Sequence, residues 1–143
     1  MTAKQMQERA NDLRFQNCFA VSRDGLGGGL AMMWTLEINV EIKSYSKHHV
    51  DVVVYNETGS NWRCTGVYGH PKSDQKKFTW ELLRRLNTLS SLQWLCFGDF
   101  NEVLNLNEKL GGKDRRVCMV NDFREAIRDC DLTDLGSTGY FFK

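Results

Sequence analysis

The spacing of apolar residues along the chain changes twice, from helical to alternating and back to helical. Met6, Ala10 and Leu13 follow helical spacing behind a Thr2-x-x-Gln5 capping box, which predicts a short amphipathic helix. Strand patterns follow at residues 19–21, 30–34, 40–45, 49–55 and 61–67. Because the later connections are too short to hold crossover helices, we expect a mostly antiparallel β-meander.

The helical period returns after the single proline, Pro71. Apolar side chains at 78, 82, 83, 86 and 89 predict a helix of about four turns, with Ser73 or Asp74 as its N-cap. The run 92–97 is typical of a strand buried on both faces. Positions 123, 126, 127 and 130 predict another amphipathic helix, and 140–142 begins a further apolar segment. No linker or repeat interrupts the chain, so we expect one α/β (α+β) unit over residues 1–143.

Composition and charge narrow the class of protein. The chain is 41% apolar and 26% charged over 143 residues, which fits one folded domain and excludes intrinsic disorder. A net charge of +1 gives no general attraction to nucleic acid or anionic membrane, so phosphate binding requires a local site. Five cysteines without a CxxC pair, and apolar runs too short for a signal core or a membrane span, predict an intracellular protein.

The most informative point for chemistry is the end of the apolar run at Gly98. Asp99 and Asn101 lie two residues apart, so their side chains project to the same side if the extended geometry persists. A carboxylate can ligate Mg²⁺ or activate a water, and an amide can donate to a phosphate oxygen. The alternative is that both residues form a turn and cap a helix.

Two further positions offer groups that bind phosphate. Tyr68 ends a strand pattern, where its phenol can donate to a phosphate oxygen; the alternative is a tyrosine packed at the sheet edge. Lys113, Arg115 and Arg116 follow two glycines, forming either a basic loop that binds a nucleic-acid backbone as substrate or a solvated loop.

The glycines and histidines favour structural roles. The glycine-rich run at 25–29 lacks the Gly-Lys-Ser/Thr of a P-loop and is typical of a hairpin connection. His48, His49 and His70 have no second ligand cluster at metal spacing, which favours a structural or solvent-facing role over metal ligation.

Four segments taken together resemble the endonuclease/exonuclease/phosphatase superfamily: TGVYGHP, WLCFGDFNEVLN, EKLGGKDRR and FREAIRDCDLTDLGSTGYFF. More narrowly, they are similar to the endonuclease region of plant LINE-type (non-LTR) retrotransposons. The resemblance implies a two-sheet sandwich flanked by helices, Mg²⁺-dependent phosphodiester hydrolysis of DNA, and a nuclear location. On this resemblance Asp99 activates the attacking water, Asn101 holds the nucleophile and the phosphate, and Tyr68 contacts the scissile phosphate. Asp99 and Asn101 are also the metal ligands that it implies.

The sequence departs from the family pattern near both ends. The family's opening-strand asparagine and its metal-binding glutamate have no counterpart here, and neither does its Ser-Asp-His motif. The resemblance therefore implies a domain truncated at both ends, with weak or no hydrolysis on its own. The alternatives are an inactive retrotransposon-derived fragment and a non-catalytic nucleic-acid-binding module.

Overall fold

The computed structural model describes residues 3–21, 29–104 and 117–136, and these residues form two compact units. We call Met1–Tyr68 with Leu92–Asp99 the sheet unit, and Gly69–Ser91 with Phe100–Lys143 the helical unit. The glycine-rich run at 25–28, the basic residues Lys113, Arg115 and Arg116, and the apolar segment 140–142 lie outside the described residues. No described helix is long and apolar enough to cross a membrane.

The sheet unit contains one helix and two sheets. Its elements are α1 (Ala3–Asp12), β1 (Asn17–Val21), β2 (Leu30–Trp34), β3 (Asn39–Ser46), β4 (His49–Tyr55), β5 (Trp62–Tyr68) and β6 (Trp94–Asp99). β1 and β2 form an antiparallel pair, and the second sheet has the order β3-β4-β5-β6. The predicted helix and the mixed class with two sheets are confirmed. The predicted antiparallel meander is confirmed only in part, because β1 pairs with β2 and β3 to β5 pair in sequence, but β2 and β3 lie in different sheets. β6 instead runs parallel to β5, which the long connection over residues 69–93 permits.

The core of the sheet unit follows from alternation along β4. Val50, Val52 and Val54 share one face and are buried with Cys64, as predicted from their spacing. Apolar residues of both sheets pack against this cluster, including Phe19 and Met32 from the two-stranded sheet. The two sheets therefore bury a common apolar layer.

One strand prediction is wrong. The run 92–97 suggested a strand buried on both faces, yet Leu95 is 36% exposed and Phe97 is 48% exposed. The reason is the position of β6, which is the last strand in the order of the described sheet. A continuous apolar run indicates a strand but does not distinguish a central strand from the last one.

The helical unit contains a 3₁₀ turn, Ser73–Gln75, followed by α2 (Lys76–Asn87), and later α3 (Val117–Asp129). Trp80 on α2 stacks on Phe123 of α3 with ring centroids 4.6 Å apart, and the predicted apolar face of α3 is confirmed. The predicted face of α2 is partly wrong, because Phe78 and Leu89 are exposed while Trp80 is buried.

The predicted N-cap of α2 is also wrong. Ser73 and Asp74 lie in the 3₁₀ turn, and the N-cap is Gln75, whose side chain makes no capping hydrogen bond. The helix therefore begins at Lys76 and has twelve residues, about three turns instead of four.

Candidate functional site

Two of the predicted site residues lie side by side at one end of the sheet. Tyr68 and Asp99 are the last residues of the parallel strands β5 and β6, and they are partners in the strand register. Neighbouring strands are about 4.8 Å apart, so the two backbone positions are adjacent. Asp99 is exposed and Tyr68 is half-buried, which makes this end of the sheet accessible to a ligand.

The glycine before Asp99 allows this close approach. Gly98 has a φ of 134°, and a Cβ atom at that position would overlap the carbonyl oxygen of Val67 on β5. Residues with a side chain rarely adopt this conformation. Glycine in the Gly98-Asp99 pair is therefore required for the last residues of β6 to pair with β5.

His48 is a neighbour of Tyr68 that the sequence analysis did not connect with the site. It lies in the turn between β3 and β4, and its ring Nδ1 donates a hydrogen bond to the carbonyl oxygen of Tyr68 over 2.8 Å. The backbone N–H of Tyr68 donates in turn to the carbonyl of His48 over 2.9 Å. The two rings stack at 15° with centroids 6.5 Å apart. His48 therefore fixes the backbone of Tyr68 from the side opposite β6.

The other two histidines are held by hydroxyl groups. His49 is buried between Ser44 and Ser46, whose Oγ atoms lie 3.0 Å from its Nε2 and 2.8 Å from its Nδ1. In the helical unit, the backbone N–H of His70 donates to Thr79 Oγ1 over 2.9 Å, and the ring Nδ1 of His70 lies 3.0 Å from the same oxygen. Of the two roles predicted for the histidines, these contacts favour the structural one.

Asn101 lies in the helical unit and has a conformation that the sequence analysis did not foresee. Strand β6 ends at Asp99, and Asn101 has a φ of 55°, so the extended geometry assumed for Asp99 and Asn101 does not persist. Asparagine is among the few residues that adopt this left-handed conformation readily. The side-chain Nδ2 of Asn101 donates to the carbonyl oxygen of Gly69 over 2.8 Å. A Cβ atom on Gly69 would overlap the carbonyl of Phe100, so this turn requires glycine there.

A buried ion pair holds the same turn and was missed from the sequence. Lys76, the first residue of α2, donates from Nζ to Glu102 Oε2 over 2.8 Å and also to the backbone carbonyl of Asn101. The side chain of Lys76 is 4% exposed and that of Glu102 is 0% exposed. Glu102 follows Asn101 directly in the chain, which was the only local signal available.

The described residues offer little to hold a metal ion by themselves. Within residues 3–21, 29–104 and 117–136, no three or more His, Cys, Asp or Glu side chains form a group suited to a metal. Mg²⁺ is nevertheless often bound through one or two carboxylates, with substrate phosphate oxygens and waters as the remaining ligands. The exposed carboxylate of Asp99 fits that mode of binding, and Arg115 and Arg116 lie outside the described residues.

Comparison with known proteins does not assign the chain to a family. No protein-family model matches the chain, and a search of curated proteins finds no match. The function is therefore proposed from the sequence motifs and from the geometry of the described residues.

Proposed function

We propose that the chain is an endonuclease/exonuclease/phosphatase-like domain, of the LINE retrotransposon type, that hydrolyses phosphodiester bonds in DNA. The observation that supports this proposal is the pairing of Tyr68 with Asp99 at the carboxyl ends of two parallel strands. In sheets with parallel strands, ligands bind outside the carboxyl ends of the strands. A carboxylate and a phenol at that edge provide a proton acceptor and a hydrogen-bond donor for a phosphodiester.

Each residue has a defined role in the proposed reaction. The Asp99 carboxylate orients a water and accepts its proton as the water attacks the phosphorus. The bond from phosphorus to the departing sugar oxygen breaks in the same reaction, and that oxygen takes a proton from solvent water. The phenol of Tyr68 donates to a phosphoryl oxygen, where negative charge increases in the transition state. Asn101 holds the nucleophile and the phosphate through its amide group, as the resemblance implies. Arg115 and Arg116 are the proposed contacts with the DNA backbone.

Mg²⁺ is the proposed cofactor. Asp99 would hold it, with Asn101 as the second ligand that the resemblance implies. When bound, a divalent ion polarises a phosphoryl oxygen and neutralises part of its charge. Because the described residues form no group of three or more His, Cys, Asp or Glu side chains suited to a metal, substrate oxygens and water would be the remaining ligands. We therefore expect Mg²⁺ to bind more tightly in the presence of DNA.

The test is nicking of supercoiled plasmid under single-turnover conditions, with the 143-residue chain in excess over DNA. We expect slow nicking that requires Mg²⁺ and stops with EDTA. Asp99→Asn is expected to lower the rate by about 10² to 10³-fold, the usual cost of losing one transition-state group. Tyr68→Phe removes only the phenolic hydroxyl and is expected to lower the rate by a smaller factor.

The matched control is Glu57→Gln. Glu57 is an exposed carboxylate in the connection between β4 and β5. This connection precedes β5, so Glu57 lies at the opposite end of that strand from Tyr68. Its replacement removes the same charge from the same unit and is expected to leave nicking unchanged. Absence of nicking by the unmodified chain, or equal rates for Asp99→Asn and Glu57→Gln, would refute the proposed function.

A further inference from the structure

The buried ion pair of the helical unit connects the first residue of α2 to the turn that carries Asn101. Lys76 and Glu102 are 26 residues apart in sequence, and their side chains are almost completely removed from water. The ammonium of Lys76 contacts both the Glu102 carboxylate and the backbone carbonyl of Asn101. One cation thus fixes two consecutive residues of the turn.

Such a pair is a costly way to stabilise a fold. The free-energy cost of removing two charges from water can exceed the gain from their attraction, and apolar residues of similar volume often stabilise a protein as well or better. The best-supported use of a buried polar group is to specify one geometry among several. A fixed geometry is needed here, because the turn has no strand ladder to define it and Asn101 has a left-handed backbone.

We propose that Lys76 is a positioning residue for Asn101. Its ammonium holds the Asn101 carbonyl and the Glu102 carboxylate, and this fixes the turn in which the Asn101 amide donates to the carbonyl of Gly69. These contacts set the orientation of the Asn101 side chain. This inference rests on the proposed function, in which Asn101 holds the nucleophile and the phosphate.

The experiment uses the full chain and three variants. Lys76→Met/Glu102→Leu removes both charges together, so that neither is left buried alone. Glu102→Gln removes one charge with almost no change in shape. Lys77→Met is the matched control, because Lys77 is the next residue of the same helix and is exposed. Each protein is assayed for hydrogen exchange of the Asn101 side-chain amide by NMR, for thermal unfolding, for DNA affinity and for single-turnover nicking.

We expect the double variant to exchange the Asn101 amide at least tenfold faster and to nick at least tenfold more slowly. The DNA affinity and the cooperative unfolding transition should be retained, and Glu102→Gln should give changes in the same direction. Lys77→Met should match the unmodified chain in every assay. A merely structural role would change the unfolding transition without a separate loss of nicking rate.

Unchanged exchange of the Asn101 amide in the double variant and in Glu102→Gln would overturn the inference. Loss of the folded state in both variants would overturn it as well, because the pair would then support the whole fold. Failure of the proposed function is recognised separately, by absent nicking in the unmodified chain or an unaffected rate in Asp99→Asn. In that case the amide exchange still decides whether Lys76 positions Asn101.

Discussion

Among the described residues, the sheet unit and the helical unit each contain one buried ion pair, and the two pairs are built differently. In the sheet unit, Arg63 binds Asp51 through two hydrogen bonds, from Nε to Oδ1 over 2.8 Å and from Nη2 to Oδ2 over 2.9 Å. Thr65 donates a third bond to Asp51 over 2.6 Å and accepts one from the Trp94 indole over 2.7 Å. The guanidinium of Arg63 also lies 5.0 Å from the centre of the Trp94 ring.

The pair in the helical unit joins a lysine to a turn. Lys76 is a point charge that binds one oxygen of Glu102, while the other oxygen accepts from the backbone N–H of Val103 over 3.2 Å. The ammonium also donates to the backbone carbonyl of Asn101. Lysine thus neutralises Glu102 and fixes a turn, whereas Arg63 joins a network of side chains.

The difference shows what each pair specifies. Asp51 and Thr65 are register partners on β4 and β5, so the network links strands whose ladder already defines the backbone. A slip of one residue would move Asp51 to the face of Val50 and Val52, where apolar side chains pack against one another. The sheet pair therefore selects a register and contributes to stability, whereas the turn pair selects the shape of one irregular segment.

Asp51→Ala is expected to have the largest effect on stability. It leaves the guanidinium of Arg63 buried without a counter-charge, and breaking a buried pair in this way costs about 3–5 kcal/mol. Urea unfolding at 25 °C, followed by tryptophan fluorescence, measures the change in the free energy of unfolding. The control is Asp51→Leu/Arg63→Met, which should recover much of the loss because neither charge remains. A loss below about 1 kcal/mol for the single variant would mean that the pair is not desolvated.

Glu102→Gln is expected to have an intermediate effect. It leaves the buried ammonium of Lys76 without a counter-charge, but the Gln carbonyl keeps the size of the side chain and, with the Asn101 carbonyl, can still accept hydrogen bonds from it. We therefore expect a loss of about 1.5–3 kcal/mol, the worth of one hydrogen bond to a charged group. The same urea experiment measures it, with Glu81→Gln on the exposed face of α2 as the control. A loss as large as that of Asp51→Ala would contradict the distinction between the two pairs.

The parts of the fold that could be predicted from the sequence are those in which burial follows a local period. Val50, Val52 and Val54 alternate, and the apolar face of α3 repeats at helical spacing, so each pattern records its own buried face. Neither pattern depends on which element lies next to it. The exposure of β6 depends on the order of strands in the sheet. The apolar run alone therefore gave the wrong prediction that this strand is buried on both faces.

The candidate site was predictable to the same limited extent. Tyr68 and Asp99 each end an apolar run, so the sequence indicates two polar strand ends but not that the strands are parallel neighbours. The conformation of Asn101 depends on Gly69 and Lys76, which lie 32 and 25 residues away. The two buried ion pairs could not be predicted for a similar reason. A charged residue within a strand or helix pattern is normally taken as solvent-exposed, and the partner with which it is buried is distant in sequence.

The pKa of the Cys64 thiol measures how far water is excluded from the sheet unit near its ion pair. Burial, and then the charge of Asp51, raise the pKa of this thiol from 9.0 to about 11. Below pH 9 both the folded and the unfolded chain keep the proton. As the pH rises from 9 to 11 the unfolded chain loses it first, so the free energy of unfolding falls across this window. Comparison with Cys64→Ala between pH 8 and 10.5 isolates the effect, and parallel pH profiles would show that the thiol is hydrated.

An exposed ion pair of the helical unit, Arg84 with Asp129, is expected to have the smallest effect on stability. Arg84 and Asp129 join α2 to α3 through one hydrogen bond of 2.7 Å, with side chains 40% and 51% exposed. Solvent screens such a pair, and holding two long side chains costs entropy, so Arg84→Ala should lower the free energy of unfolding by less than about 1 kcal/mol. Urea unfolding in low and in 1 M salt checks this, because screening should remove the difference between the unmodified chain and the variant. If the loss matched that of Glu102→Gln and did not depend on salt, distance between charges rather than burial would govern both pairs.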